Sequence, residues 1–392
     1  MPRYRLRLTK EQEKTLLEHC AHARFVWNLA VEQQACWRPG RGRMPGFAER
    51  CRQLTEARAE FPWLAAGSVI VQQQALKDNA QAMANFFAGT HKRPTWRKAG
   101  RDEGFRVVHL KAGDVRRVSR NAGQVRVPKA GWVAFRWSRA VPDGVKSCRV
   151  SRDTAGRWHV AFVAIPEPIP APGTGEVAGV DRGVAVSAAL STGETLNVPG
   201  LSEPELKRLI RLQRKLTKAK KGSNRRERAK TAMAKLKARE TDRRKDWVEK
   251  TSTRLARGFD VIRVEDLKIK NMTRSAKGTR EQPGRNVRAK AGLNRGILAS
   301  AWGLLVTRLE QKAPGRIEKI DPAYTSQPCS VCKIVDREAR ESQAVFRCRS
   351  CGHTANADVN AAINIAAGHA VTARGGSGLP GPVNREPQLI AS

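Results

Sequence analysis

The 392-residue sequence has no apolar run long enough to span a bilayer, and its first ten residues, MPRYRLRLTK, lack the apolar core of a signal peptide. It also has few acidic residues, since 36 Asp and Glu stand against 74 Lys and Arg and leave a formal charge of +38. This excess argues against an enzyme for neutral substrates and makes a polyanion the expected partner. Nucleic acid is the first candidate, and an anionic membrane surface is the alternative. We expect a cytoplasmic chain whose eight cysteines form no disulfides.

The first 165 residues predict a β-barrel interrupted by a helical block. A short alternating strand at 4–8 is followed by Thr9 and Gln12, the pattern of a capping box. Three helices are predicted: one that begins after Thr9, one at 48–58 and one at 68–87. Short alternating runs over 105–165 predict an antiparallel sheet that the first strand joins. The inward side chains of the third helix are expected to be Val71, Leu76, Ala80, Met83 and Phe87.

The Pro/Gly-rich segment PEPIPAPGTG (166–175) predicts the clearest domain boundary. Beyond it we expect a buried strand and then a two-stranded hairpin. A helical hairpin at 203–257 and a second buried strand at 259–267 should follow. After them we expect a mobile loop at 268–292, a helix at about 295–311 and a strand at 316–326. The first hairpin helix should have one face lined by Leu206, Leu209, Leu212 and Leu216. The tail from about residue 373 should be disordered.

Three acidic residues lie in apolar surroundings, where a carboxylate is costly unless it is paired or bound to metal. Asp181 lies in EVAGVDRGVAV, Glu265 in VIRVEDL and Asp358 in NADVNAAINI. We predict that the three converge and hold two divalent ions for phosphodiester hydrolysis. Taken singly, each is open to a structural interpretation, and Asp358 in particular suits a helix N-cap.

Two CxxC pairs predict a structural Zn²⁺ site, because four thiolates complete a closed tetrahedral shell. The ligands are Cys329, Cys332, Cys348 and Cys351. His353 is then not needed as a ligand. The other four cysteines, which lack ligand spacing, are expected to be ordinary thiols.

Two basic segments are candidates for nucleic-acid contact. In residues 91–106, Trp96 stands among basic residues, and its ring could stack on a base or pin the loop to the core. The tip of the helical hairpin, 218–230, has charge of almost one sign, which favours phosphate contact over a solvated face. Trp27, on an apolar helical face, is expected to be core. The candidate contact residues are Arg93, Trp96, Arg97, Lys98, Lys220, Lys221, Arg225 and Arg226.

Several of these strings resemble the TnpB family of transposon-encoded, RNA-guided DNA endonucleases, thought to be ancestral to type V CRISPR effectors. The similar strings are GVDRG, VEDL, PAYTSQPCSVC, RESQAVFRCRSCG and NADVNAAINIA, together with PTWRKAG and the N-terminal YRLRLTKEQEKTLLEHCAHARFVWNLAV. The three carboxylates match the family's catalytic triad, and the four cysteines match its zinc ligands. The sequence departs from the family at Lys333, where Gly is usual, and at Arg182, where many members have a neutral residue.

The resemblance implies an α+β multidomain protein: an N-terminal wedge β-barrel with an inserted helical recognition lobe, then a RuvC-like RNase H-fold domain with an inserted zinc ribbon. It implies Mg²⁺ or Mn²⁺ at the triad, one structural Zn²⁺, a guide RNA from the transposon end, and a double-stranded DNA target beside a short motif read by protein. No membrane partner is expected. The implied boundaries are 1–9 and 91–165 for the wedge, 10–90 for the recognition lobe, 166–175 for the linker, 176–322 and 356–371 for the RuvC-like domain, 323–355 for the zinc ribbon and 372–392 for the tail.

Three other functions are compatible with the sequence. A DNA transposase would use the same triad and the same ions. A miniature type V CRISPR effector would differ only in its genomic context. A non-catalytic regulator would use the positive charge to bind nucleic acid and would not cleave it.

Overall fold

The computed structural model of the chain describes residues 3–38, 40, 42, 44–101, 103–165, 167–336 and 338–368. Two compact units emerge, Met1–Pro166 with Leu201–Glu240, and Glu167–Gly200 with Thr241–Ser392. Within the described ranges, no helix combines the length and apolarity needed to cross a membrane. The predicted disordered tail and residues 369–371 of the implied RuvC-like segment 356–371 lie outside the described residues.

The first unit is built on a seven-stranded antiparallel sheet with strand order β2-β6-β7-β1-β5-β4-β3. The first strand lies in its centre, paired with β7 on one side and β5 on the other, which confirms that it joins the later strands. Strand β3 was not predicted, because almost all of its side chains are exposed and show no apolar alternation. The strands are β1 Arg3–Arg7, β2 Gly104–Val108, β3 Val115–Ser119, β4 Ala122–Val127, β5 Gly131–Arg136, β6 Ser147–Arg152 and β7 Trp158–Val163.

Four helices between β1 and β2 pack on this sheet and share its core. The predicted capping box at Thr9 and Gln12 is present at the start of the first helix. Phe87 was predicted to face inward and is instead 74% exposed. It is the last residue of its helix, and its ring packs on Phe86. The helices are α1 Lys10–Cys36, α2 Phe47–Glu60, α3 Pro62–Ala65 and α4 Val69–Phe87.

A helical hairpin, α5 Glu203–Lys218 and α6 Asn224–Gly258, confirms the prediction for this region. Its turn is shorter than expected, because α6 begins inside the basic segment. The expected leucine face is only partly right: Leu209 is buried, whereas Leu206 is 48% exposed. The first helix therefore buries a narrower stripe than its sequence suggests.

The second unit contains a five-stranded sheet with strand order β10-β9-β8-β11-β12. Strands β8, β11 and β12 are parallel, and β8, β9 and β10 form an antiparallel meander that confirms the predicted hairpin. The linker before β8 is held by Asp260, whose carboxylate accepts the backbone N–H groups of Gly173 and Gly175. The strands are β8 Val177–Asp181, β9 Ala188–Leu190, β10 Thr195–Leu196, β11 Val261–Glu265 and β12 Ile317–Ile320.

The helix predicted at 295–311 is in fact two helices, and the first begins within the predicted mobile loop. They are separated at Ala301, whose backbone is left-handed with φ 58°. The part of the first helix that was missed, 287–294, contains Gly292, which lowers helix propensity. A Cβ on Gly296 would lie 2.6 Å from Val184 Cγ1, so glycine allows the close approach there. The remaining elements are α7 Ile269–Met272, α8 Val287–Ala299, α9 Trp302–Lys312, β13 Val345–Arg347, β14 Thr354–Asn356 and α10 Ala357–Ala367.

Candidate active site and metal centre

Two of the predicted carboxylates lie side by side at one edge of the second sheet. Asp181 is the last residue of β8 and Glu265 the last of β11. The two strands are parallel neighbours with Val180 in register with Val264, so the residues that follow lie at the same edge. Carboxyl ends of parallel strands are where such sheets commonly place their functional groups.

The third carboxylate reaches this edge because α10 packs very closely on β8. A Cβ on Gly179 would lie 2.0 Å from the carbonyl oxygen of Ala362, so only glycine allows this approach. Asp358 lies in the first turn of α10, but it is not the cap. That role belongs to Asn356, whose side chain accepts the backbone N–H groups of Asp358 and Val359. The N-cap interpretation of Asp358 is therefore wrong, and its carboxylate is available for another role.

The charges of Glu265 and Asp358 both act on Asp181. Desolvation, and then the negative charges of Glu265 and Asp358, raise the pKa of Asp181 from 3.8 to about 7. Desolvation also raises the pKa of Asp358, against the opposing charge of Arg340. A carboxylate cluster with raised pKa values is typical of a site that binds cations.

Arg182, noted above as a departure from the family, is a buried cation behind this edge. Its side chain is 5% exposed and donates to the backbone carbonyl of Glu265. Burial lowers the pKa of the guanidinium, and the charges of Glu265, Asp181 and Asp266 oppose that change. Asp266 itself is partly exposed at the edge, where a hydrogen bond from Lys268 lowers its pKa.

Two residues beside the triad were missed by sequence reasoning. Thr325 Oγ1 donates to Glu265 Oε1 at 2.7 Å, and Arg340 pairs with Asp358 Oδ1 at 3.1 Å. Both belong to the segment that contains the cysteines. The available signal was their position in PAYTS and RESQ, two of the strings that resemble the family.

The four cysteines meet as predicted. Cys329 and Cys351 Sγ atoms are 3.7 Å apart, and those of Cys332 and Cys348 are 3.6 Å apart. Among the described residues, this is the one group of three or more metal-ligating side chains whose ligand atoms all lie within 4.8 Å of one another. The three carboxylates are not gathered that tightly. A four-thiol donor set suits Zn²⁺, whereas an all-oxygen set suits Mg²⁺ or Mn²⁺.

The turns next to the four cysteines are consistent with the role of these cysteines as metal ligands. Lys333 adopts a left-handed backbone with φ 63°, where the family usually has Gly, and its N–H donates to the carbonyl of Cys329. Backbone N–H groups, first that of Cys351, lower the pKa of Cys348 to about 7, which favours the thiolate. His353 contacts Ser330 at 3.4 Å and is not among the clustered ligands.

The thiol cluster is tied to α10 by two buried asparagines that sequence reasoning also missed. Asn360 accepts from the backbone N–H of Ser330 and donates to Pro328, and Asn364 donates to the same Pro328 carbonyl at 2.8 Å. Their signal was a pair of amides four residues apart on an otherwise apolar helix. Because α10 also begins next to Asp358, the cysteine module and the carboxylate edge share one support.

The predicted nucleic-acid residues fall in two places of the first unit. A cavity of about 380 Å³ is lined by Arg93, Trp96 and Arg97 of the loop after α4 and by Trp27 of α1. Trp27 is buried as predicted; its indole donates to Thr95, and the Arg97 guanidinium stacks 3.8 Å from its ring centroid. Trp96 is 56% exposed, so the ring does not pin the loop to the core. Lys98 is also exposed.

At the hairpin turn, Lys220, Lys221 and Arg225 are exposed. Arg226 instead donates to the carbonyls of Leu216 and Ala219 at the end of α5. Its guanidinium therefore caps a helix, a role that the charge pattern did not reveal.

Comparisons with known proteins fit this geometry. Family models match residues 161–276 as a probable transposase of the OrfB_IS605 type, 302–365 as a Cas12f1-like TNB domain and 2–42 as a helix-turn-helix domain. The chain is 36% identical over 98% of its length to the putative RNA-guided DNA endonuclease InsQ of Escherichia coli strain K12, covering 96% of that protein. It is 33% identical over 95% of its length to a putative RNA-guided DNA endonuclease of Streptomyces pristinaespiralis, covering 90% of that protein.

A solved structure of similar fold is Cas12f1 in its complex with sgRNA and target DNA. It shares 13% identity and a TM-score of 0.54 over 91% of this chain and 83% of that one. The fold and the four-thiol module thus define a mixed α/β protein with a Cas12f-like zinc-ribbon domain. The chain belongs to the TnpB family, which confirms the resemblance seen in the sequence.

Proposed function

We propose that the protein is an RNA-guided, metal-dependent DNA endonuclease that hydrolyses a target beside a short adjacent motif. The observation that carries the proposal is that burial, followed by the charges of Glu265 and Asp358, raises the pKa of Asp181 to about 7 at one sheet edge. Carboxylates that repel one another in this way are costly unless cations bind between them. Relatives over nearly the whole chain are named RNA-guided DNA endonucleases, which supplies the substrate class.

Asp181, Glu265 and Asp358 would hold two Mg²⁺ or Mn²⁺ ions, whose oxygen-ligand preference they match. Such ions, when bound, activate water and stabilise the leaving oxygen of a phosphodiester. The protein's own part is positioning. Thr325 fixes one oxygen of Glu265, and Arg182 anchors the backbone at the same residue. Arg340 balances the charge of Asp358 and presents a guanidinium to an incoming phosphate.

Zn²⁺ in the four-thiolate site would be structural, since a complete thiolate shell leaves no open position for substrate. Its function would be to hold the segment that contains Thr325 and Arg340 against the carboxylate edge. Asn360 and Asn364 support that arrangement from α10. Loss of zinc should therefore reduce cleavage by displacing these residues.

We also propose an assignment of the two units to domains. The sheet of the first unit would be the wedge barrel, and α1 to α4, inserted between β1 and β2, the recognition lobe. The sheet of the second unit with α10 would be the RuvC-like RNase H-fold core, and the segment between β12 and α10 the zinc ribbon. Exposed Trp96, with Arg93 and Lys98, and the hairpin residues Lys220, Lys221 and Arg225 would contact nucleic acid. We assign Arg97 and Arg226 to the support of these surfaces.

The test is purification from the native host, sequencing of the bound RNA, and cleavage of a plasmid with a matching target in Mg²⁺. The proposal expects one discrete structured RNA and guide-directed cleavage. Strand transfer without a required RNA would establish the transposase, in keeping with the probable-transposase description of the 161–276 match. Binding without cleavage by wild type would establish a regulator. Asp181→Ala and Glu265→Ala should abolish cleavage and leave RNA binding intact.

A further inference from the structure

Tyr324 is an exposed aromatic residue in the segment that joins β12 to the four cysteines. It is 46% exposed, whereas Tyr4, the other tyrosine of the chain, is buried. Among the described residues of the second unit, 167–200 and 241–368 without 337, it is the only aromatic residue that is exposed. A single exposed apolar residue is normal on a protein surface, so exposure alone does not indicate a function.

The backbone of Tyr324 is strained. Its φ is 63°, in the left-handed region that bulky residues rarely adopt. The turn around it is held by hydrogen bonds. The carboxylate of Asp321 accepts from the N–H of Ala323 at 2.9 Å, and the carbonyl of Tyr324 accepts from the N–H of Gln327 at 3.2 Å. Because glycine or asparagine would adopt this backbone at lower cost, a tyrosine here indicates that its ring has a use.

The strained turn lies at the carboxylate edge. The next residue, Thr325, is buried, and its hydroxyl donates to Glu265 Oε1 at 2.7 Å. Asn364 of α10 donates to the Thr325 carbonyl at 3.3 Å. Successive Cα atoms are about 3.8 Å apart, so Tyr324 is the immediate neighbour of a residue that contacts a candidate metal ligand. The exposed ring therefore belongs to a residue whose backbone is fixed beside the site.

The Tyr324 ring has a face open to a ligand. The ring of Trp27 is covered by the Arg97 guanidinium, 3.8 Å from its centroid. That of Trp132 is covered by Arg116, at 4.1 Å. Within the part of the chain that the structure describes, no aromatic ring or guanidinium stacks on Tyr324. An open ring beside a site for nucleic acid offers a stacking surface to an unpaired base.

We propose that Tyr324 stacks on one base of the displaced DNA strand, next to the phosphate that is cut, and so positions that phosphate at the carboxylates. The inference rests on the proposed function, because pairing of a guide with the target strand leaves the other strand displaced and unpaired. Bases paired with the guide have no such freedom to leave their stack. Since every base has a π face, the contact would hold the strand without selecting its sequence.

The test removes the base and the ring separately. In a series of matched target duplexes, each nucleotide of the displaced strand near the mapped cut is made abasic in turn. Single-turnover cleavage of that strand in Mg²⁺ is measured for RNA-loaded wild type, Tyr324→Phe and Tyr324→Asn. Phenylalanine keeps the ring, whereas asparagine removes it and tolerates the left-handed backbone. Ile334→Asn is the matched control, because Ile334 is 48% exposed in the same cysteine segment. Zinc content and circular dichroism check folding.

Stacking of one base predicts that wild type loses about 5- to 150-fold in cleavage rate at one or two abasic positions beside the cut. Tyr324→Asn should lose as much on the intact strand and nothing more at those positions, since the base and the ring act as one contact. Tyr324→Phe and the control should cleave like wild type.

Three results would overturn the proposal while wild type still cleaves under guidance. They are a wild type with no abasic-sensitive position beside the cut, losses from Tyr324→Asn and the abasic site that multiply, and an equal loss in Tyr324→Phe, which would assign the effect to the hydroxyl. The first readout needs no variant, so it decides even if Tyr324→Asn does not fold. Failure of RNA-loaded wild type to cleave a matched target would instead overturn the proposed function.

Discussion

Replacement of Asp181 by Asn should stabilise the protein in Mg²⁺-free buffer, and the gain should grow with pH. The pKa of Asp181 is raised from 3.8 to about 7, so the folded state holds this proton more tightly than the unfolded chain does. Wild type therefore loses stability as pH rises from about 4 to about 7, and an amide does not. The difference should be roughly 1.5 kcal/mol at pH 5 and on the order of 4 kcal/mol at pH 8.

The assay is urea unfolding of both proteins from pH 5 to pH 8, followed by tryptophan fluorescence. Trp302 donates to the carbonyl of Gly183, close to Asp181, and so contributes a signal from this unit to the total fluorescence. Asp266→Asn is the matched control, because the pKa of that partly exposed carboxyl is lowered, so the effect of the substitution should not grow above pH 5. Added Mg²⁺ should stabilise wild type more than Asp181→Asn. A stability difference that stays constant from pH 5 to pH 8 would refute the reasoning.

Three further substitutions test the supports of the site. Cys351→Ser should reduce bound zinc, measured by elemental analysis, from one ion per chain to nearly none, whereas Cys36→Ser, outside the cluster, should leave it unchanged. Gly179→Ala should displace α10 and lower cleavage about 100-fold, whereas Gly258→Ala, with open space around it, should cleave normally. Asn364→Ala should cost about 1–3 kcal/mol in urea unfolding, since it leaves the Pro328 and Thr325 carbonyls with one donor fewer; an unchanged midpoint would contradict the support role.

Local patterns predicted the elements that bury a regular apolar face. The strands ending at Asp181 and Glu265 could be found because a short run rich in β-branched residues leads into each acidic position. The capping box at Thr9 was equally accessible, since its signal spans only four residues. Strand β3 was not, because pairing with β4 rather than burial makes it a strand. The break at Ala301 was invisible because alanine rarely adopts a left-handed backbone.

The candidate ligands of the site could be predicted from the sequence, but the residues that position them could not. Four thiols and three carboxylates can be recognised as candidate ligands by residue type. Their supports are common residues whose role depends on a distant partner. Gly179 matters only because α10 packs on it, and Arg226 caps a helix that ends several residues earlier. Contacts of this kind depend on tertiary packing that no local window contains.

The most direct test of the central claim is the anomalous scattering of Mn²⁺ in crystals of the protein bound to guide RNA and an uncleaved target strand. The account predicts two peaks about 4 Å apart, contacted by Asp181, Glu265 and Asp358. No Mn²⁺ peak at these three carboxylates, in crystals whose target strand is ordered, would contradict it.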